Sequence, residues 1–148
     1  MSFTDLKYHI VFSTKGRRPW LIPDVKERVV KYIGGIVRNL KGVLIEANGI
    51  EDHLHLVAGI HPQVSMSAFV RDVKSNCTTW IRQTFPDYRD FAWQDEYAAF
   101  TVSQSQLPSV VAYVQKQVEH HRKMTFEEEL RALLVKNGIE FDERFLLR

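Results

Sequence analysis

The sequence predicts an α+β fold, an antiparallel sheet with two crossover helices on one face and further helices at the C-terminus. Three observations carry that reading. Two-residue and three-to-four-residue hydrophobic periods trade places along the chain, giving the order β-α-β-β-α-β(β)-α-α. A hairpin signal, Asn48-Gly49, makes the middle two strands antiparallel neighbours. No repeat, low-complexity stretch or linker divides the 148 residues, so 1–148 is expected to form one domain. This order is that of the split β-α-β, ferredoxin-like arrangement.

Each element follows from its own residues. Leu6, Tyr8, Ile10 and Phe12 alternate with Lys7, His9, Val11 and Ser13, which predicts the first strand. The loop after it gathers Lys15, Arg17 and Arg18 with Trp20. Such a loop is either a solvated turn or a phosphate-contacting segment with an indole for base stacking. Pro23-Asp24 opens the first helix, and Val25, Val29, Val30, Ile33, Ile36, Val37 and Leu40 give it one apolar face. Gly34-Gly35 costs helix propensity, about 1 kcal/mol per glycine, and Gly42 is the expected stop. Val43–Ala47 and His53–Ile60 are the hairpin strands, turning at Asn48-Gly49.

A second amphipathic helix is expected over Ser65–Phe85. It buries Met66, Phe69, Val70, Val73, Cys77, Trp80 and Ile81. Arg71, Lys74, Ser75, Thr78 and Arg82 line its other side, as a solvated face or as contacts to a phosphate backbone. Phe91–Trp93 suggests a short strand and Tyr97–Ser103 a clear one. A third helix is predicted from near Pro108 to Met124. Thr125-Phe126-Glu127-Glu128 is a capping box that opens a fourth, closed by Asn137-Gly138. The tail, Ile139–Arg148, is either a strand or an arm on the body.

Composition narrows the classes of function. Apolar content of 45% and charged content of 26% are those of an ordinary globular protein. The net charge is +2 and the pI about 8.7, so any nucleic-acid surface must be a local patch. The single cysteine, Cys77, forms no internal disulfide and is expected to pack as a small apolar residue. With no membrane-length apolar run and no signal-peptide pattern, a reducing cytoplasm is the expected compartment and no membrane partner is expected.

The chemistry concentrates in Glu51-Asp52-His53-Leu54-His55-Leu56. On a strand, His53 and His55 project to one face, while Leu54, Leu56 and Ile50 are expected to point the other way, into a core. Taken alone, such a pair is as readily an ordinary hydrogen-bonded feature as half of a metal site. The third helix supplies a second half. Tyr113 and Gln117 are one turn apart, and His120 and His121 continue that face, placing polar groups where packing alone would put apolar ones. Together, His53, His55 and Gln117 offer three neutral ligands to a divalent cation, with positions left for phosphodiester oxygens. Mixed nitrogen and oxygen donors suit Mg2+ or Mn2+; ligand types alone also admit zinc. Tyr113 then offers a phenol able to attack phosphorus, provided that positive charge nearby activates it.

The motif His53-Leu54-His55 (histidine, hydrophobic residue, histidine) followed by Tyr113-x-x-x-Gln117 resembles that of the single-tyrosine HUH transposases. These are the IS200-like insertion-sequence transposases and their REP-associated tyrosine transposase relatives. The stretches Tyr8–Lys15, Trp93–Ser103 and Gln117–His121 are also similar to that family, so the likeness spans nearly the whole chain. The resemblance implies cleavage and rejoining of single-stranded DNA through a 5′-phosphotyrosine, with DNA hairpins as recognition features. It implies Tyr113 as nucleophile and His53, His55 and Gln117 as holders of Mg2+ or Mn2+. It further implies a cytoplasmic, bacterial-type enzyme acting as a homodimer in which active sites can be shared between subunits. Lys15, Arg17, Arg18, Arg71, Lys74, His120 and His121 are the candidate DNA contacts, while His9 and His61 are expected to be structural. Two other functions fit the same residues: a domesticated module that binds hairpin DNA or RNA without cutting, and a metal-dependent hydrolase of a small phosphate ester.

Overall fold

A computed structural model describes residues 2–146 of the chain. Its sheet comprises β1 (Lys7–Ser13), β2 (Val43–Ile50), β3 (His53–Gly59) and β4 (Ala98–Thr101), in the order β2-β3-β1-β4 with antiparallel neighbours. Helices α1 (Pro23–Asn39) and α2 (Met66–Thr84) cover one face. Ile10, Phe12, Leu54, Leu56 and Ala58 of the sheet pack there against Val29 and Ile33 of α1 and Phe69, Val73 and Ile81 of α2. Each such buried side chain stabilises the fold by roughly 1.5–3 kcal/mol relative to exposure. This is the expected ferredoxin-like α+β architecture. Cys77 lies in that core, where burial pushes its thiol up to about 12.

The opposite face is covered as well. Helices α3 (Leu107–Gln115), α4 (Gln117–His120) and α5 (Phe126–Lys136) follow β4, and Val11 and Phe100 pack with Phe126, Leu134 and Leu146. With helices on both sides, β3 is buried without interruption from His53 to Ala58. The capping box at the head of α5 forms as expected: the Thr125 hydroxyl accepts from the Glu128 backbone N–H, and the Glu128 carboxylate accepts from that of Thr125.

Several expectations are corrected. The hairpin does not turn at Asn48-Gly49. Strand β2 runs through both residues, pairs Asn48 with His55 and Ile50 with His53, and turns at Glu51-Asp52. Continued pairing and the anchoring of Asn48, whose amide accepts from Lys26 and donates to the Gln115 carbonyl, outweigh the local turn preference. Gly49 answers a different need, because a Cβ there would lie 2.0 Å from the His53 carbonyl oxygen. Residues paired directly across a hairpin share a face, so Ile50 lies on the histidine side rather than with Leu54. After α1 the left-handed residue is Lys41 (φ 62°), and Gly42 is required by close approach, its Cβ position lying 2.6 Å from the Gly59 carbonyl.

The third predicted helix is two. A tight bond from the Lys116 N–H to the Tyr113 carbonyl breaks it, and α4 ends at His120 rather than Met124. Phe91–Trp93 contributes a single bridge, Thr14 to Trp93, and the following strand is confined to Ala98–Thr101. Residues 139–146 form no strand and include a 3-10 turn, Glu143–Phe145; Leu147 and Arg148 lie outside the described residues.

Candidate active site

The two-residue period of β3 sends Leu54 and Leu56 toward α1 and α2, so His53 and His55 must face α3–α5. A register slip of one residue would exchange the two sets, and the buried leucines forbid it. Each imidazole is oriented from behind. His53 Nδ1–H donates to Asp52 Oδ1 at 2.8 Å, and His55 Nδ1 lies 2.7 Å from Nε2 of His9, whose ring stacks on it at 5.0 Å. His9, expected only to be structural, is therefore the immediate neighbour of the pair. It reaches there because β1 sits beside β3 with His9 opposite Val57.

A residue that sequence reasoning missed occupies the centre. One oxygen of Glu129, from the first turn of α5, lies 3.0 Å from His55 Nε2, 3.3 Å from His53 Nε2 and 3.0 Å from His121 Nε2. Its other oxygen accepts from the Gln117 amide at 2.8 Å and from the Tyr113 hydroxyl. His53, His55, Gln117 and Glu129 are all at most 1% exposed. The signal was present in sequence: Glu129 interrupts the apolar stripe Phe126, Leu130, Leu133, Leu134 at the position where that stripe should continue. It was hidden within Glu127-Glu128-Glu129, which resembles the ordinary acidic first turn of a helix.

The charges follow from these contacts. Burial alone would raise the Glu129 pKa, but hydrogen bonds from His121, His53 and His55 hold it well below the usual carboxylate range. Burial disfavours charge on His53, yet its bonds to Asp52 and Glu129 leave its pKa raised. His55 is lowered by burial and by the neighbouring His53 and His121, against Glu129, and burial pushes His9 down to about 3. With His55 neutral, its Nε2–H donates to Glu129 and its Nδ1 accepts from His9. The Tyr113 phenol is raised by burial and then by the adjacent Glu129 carboxylate. Its ring lies 5.9 Å from that of His55, within the same chain.

Thus Tyr113, His53, His55 and Gln117, separated widely in sequence, meet around one carboxylate. The chemistry of the donor set fits a divalent cation: ligand atoms of His53, His55 and Glu129 lie within 4.8 Å of one another, two imidazole nitrogens and a carboxylate oxygen.

The seven expected DNA contacts divide. His121 bonds Glu129, and His120 stacks on the Tyr113 ring at 4.7 Å. Arg17 pairs with Glu127 and lies over the Phe126 ring, which itself stacks on His53 at 4.2 Å. Lys15 and Arg18 flank Arg17, with Arg18 over Trp20. Arg71, beside Asp72, and Lys74 sit on α2, across the sheet from Glu129. Lys74 donates to the carbonyls of Gln94 and Glu96.

Against known proteins, the family model described as "Transposase IS200 like" matches residues 2–117, most of the chain. The chain belongs to the IS200-like transposase family. This transposase is 32% identical over 126 residues to the transposase for insertion sequence element IS200 of Salmonella typhimurium, covering 78% of this chain and 79% of that one. It is 22% identical over 117 residues to the ISDra2 transposase TnpA of Deinococcus radiodurans, covering 76% and 84%. Two solved structures share its fold. A Deinococcus radiodurans R1 protein aligns with a TM-score of 0.66 at 23% identity, covering 78% of this chain and 93% of that one. A REP-associated tyrosine transposase bound to a REP hairpin aligns with a TM-score of 0.62 at 13% identity, covering 82% and 72%. Among the described residues of the transposase, no helix is long and apolar enough to cross a membrane.

Proposed function

We propose that this transposase cleaves and rejoins single-stranded DNA through a 5′-phosphotyrosine on Tyr113, with DNA hairpins as its recognition features. The observation that carries the reading is the convergence of the Tyr113 hydroxyl, the two strand-borne imidazoles and Gln117 on one buried carboxylate. In the cleavage step the Tyr113 oxygen bonds to phosphorus as the bond from phosphorus to the 3′ oxygen breaks. That oxygen departs as a 3′ hydroxyl, the proton given up by the phenol balancing the one it gains, and the stored phosphotyrosine conserves the bond for rejoining. His53, His55 and Gln117 would hold Mg2+ or Mn2+, and the cation would supply Lewis-acid polarisation and charge stabilisation to the phosphate. Asp52 and His9 keep the imidazoles in place, and His120 backs the phenol ring. The same reading makes the protein a homodimer in which active sites can be shared between subunits. A single-stranded substrate suits this reading, because a phosphodiester outside a duplex can be splayed into a recessed site.

Purified protein incubated with labelled single-stranded hairpin DNA and Mg2+ should form a covalent adduct that resists denaturing electrophoresis. Tyr113→Phe should abolish it, and an undiminished adduct in that variant would remove Tyr113 as nucleophile. One observation favours a second reading, hairpin binding without cleavage: His53 and His55 are wholly covered by the C-terminal helices. Retained hairpin binding with no adduct for any strand would establish it.

A further inference from the structure

The family match ends at residue 117, yet the carboxylate at the centre of the site belongs to α5, twelve residues further on. We propose that Glu129 is itself a protein ligand of the divalent cation, with His53 and His55, and that its second oxygen holds the Tyr113 hydroxyl beside that cation. The proposal rests on the metal-assisted reading given above. It adds the C-terminal segment to the active centre.

The geometry carries it. Glu129 directs one oxygen at the Nε2 atoms of both strand histidines, at 3.0 Å and 3.3 Å, and those donors lie close enough together to share one cation. Each imidazole has a partner for its other nitrogen, Asp52 for His53 and His9 for His55. That arrangement lets both rings present Nε2 as a lone pair: Asp52 keeps the His53 Nδ1–H, and one tautomer exchange lets His55 Nδ1–H donate to His9. A carboxylate oxygen is a harder and more strongly charged donor than the Gln117 amide, and Mg2+ and Mn2+ favour such donors. His121, anchored by the Met124 carbonyl at 2.9 Å, steadies the same oxygen of Glu129. The other oxygen bridges Gln117 and Tyr113, so the residue joining the phenol to the histidine pair is the carboxylate.

Burial sharpens the point. An ionised carboxylate beneath a helix is costly unless several groups compensate it, and a core position on an amphipathic helix is cheaper to fill with leucine. Here Phe126 and Leu130 flank Glu129 on that inward stripe, and five polar side chains have been brought to it instead.

The test is Mn2+ binding to the full chain, read by calorimetry and by the loss of the free Mn2+ paramagnetic resonance signal. Glu129→Gln, nearly isosteric, is expected to weaken Mn2+ binding at least tenfold. Glu129→Asp, which retains the charge but withdraws it by one methylene, should fall between the two. A folded Glu129→Gln that binds Mn2+ within twofold of the native chain overturns the proposal. Should that variant not fold, Glu129→Asp decides: a folded Glu129→Asp that binds Mn2+ as tightly as the native chain overturns the proposal. A native chain that binds no Mn2+ overturns it too. The adduct assay with Tyr113→Phe is read separately, so cleavage can be established while Glu129 ligation fails, and the reverse.

Discussion

Glu129 accepts hydrogen bonds from side chains of β3 and of the segment 113–121, and its partners are oriented in turn by residues behind them. Asp52 is the clearest of those supports, accepting from the outer nitrogen of His53. Removing such a partner characteristically lowers metal affinity 10–100-fold without touching a ligand. Asp52→Asn keeps an acceptor but loses the charge, so we expect about a tenfold loss of Mn2+ affinity with an unchanged circular dichroism spectrum. Affinity equal to that of the native chain would separate Asp52 from the cation. At this scale, sequence reading found the histidines, the tyrosine and the glutamine from their spacing. It assigned His120 and His121 to DNA, because nothing in a helical repeat reveals that the helix breaks at Lys116 and folds both rings back against Tyr113 and Glu129.

The β2–β3 hairpin positions the histidine pair, and its exactness depends on two backbones lying against each other at Gly49. A methyl there meets the His53 carbonyl at a distance no atom pair tolerates, so Gly49→Ala must push β2 away from β3. Forced overpacking of this kind costs about 1–3 kcal/mol. We expect a loss in that range by urea denaturation, with displaced His53 and His55 ring resonances; a loss below about 0.5 kcal/mol would mean that the hairpin adjusts freely. The Asn48-Gly49 pair was read as a turn because that is its strongest local preference. Pairing with β3 overrode it, a competition that no short window of sequence displays.

Two layers of unequal size flank the sheet, and the smaller one covers the site. Val11, Phe100, Phe126, Leu134 and Leu146 hold the C-terminal cover, whereas the α1–α2 side buries a much larger cluster. A phosphodiester can reach His53 and His55 only if that cover opens. Local opening should therefore be cheaper than global unfolding, and α5 amides should exchange with deuterium well ahead of those of β1 and β3. Equal protection would mean that the cover yields only with the whole fold. On the other side, Lys74 ties α2 to the 94–96 loop, and burial, opposed by Asp95 and Glu96, lowers its pKa from 10.5 to about 8. Between those values the unfolded chain binds a proton that the folded chain has released, so stability gains a rising contribution with pH in that window. The cost of the buried charge is fully present below about pH 8. The native urea midpoint should climb relative to that of Lys74→Met between pH 8 and 10.5, and a pH-independent difference would contradict the buried-lysine account.

By itself the sequence determined what local physics governs: the two periodicities, the opening of α1 at Pro23 and the capping box of α5, the face on which His53 and His55 emerge, and the motif that places the chain in its family. Only the tertiary structure decided which carboxylate the histidines meet, on which side of the hairpin Ile50 lies, and where the tyrosine helix ends. Local preferences act over a few residues, whereas Glu129 reaches His55 because apolar packing of α5 onto Val11 and Phe100 sets its angle and depth. That packing joins residues as distant in sequence as Val11 and Phe126, and it brings Glu129 to a histidine 74 positions away, so no single stretch of the chain encodes it.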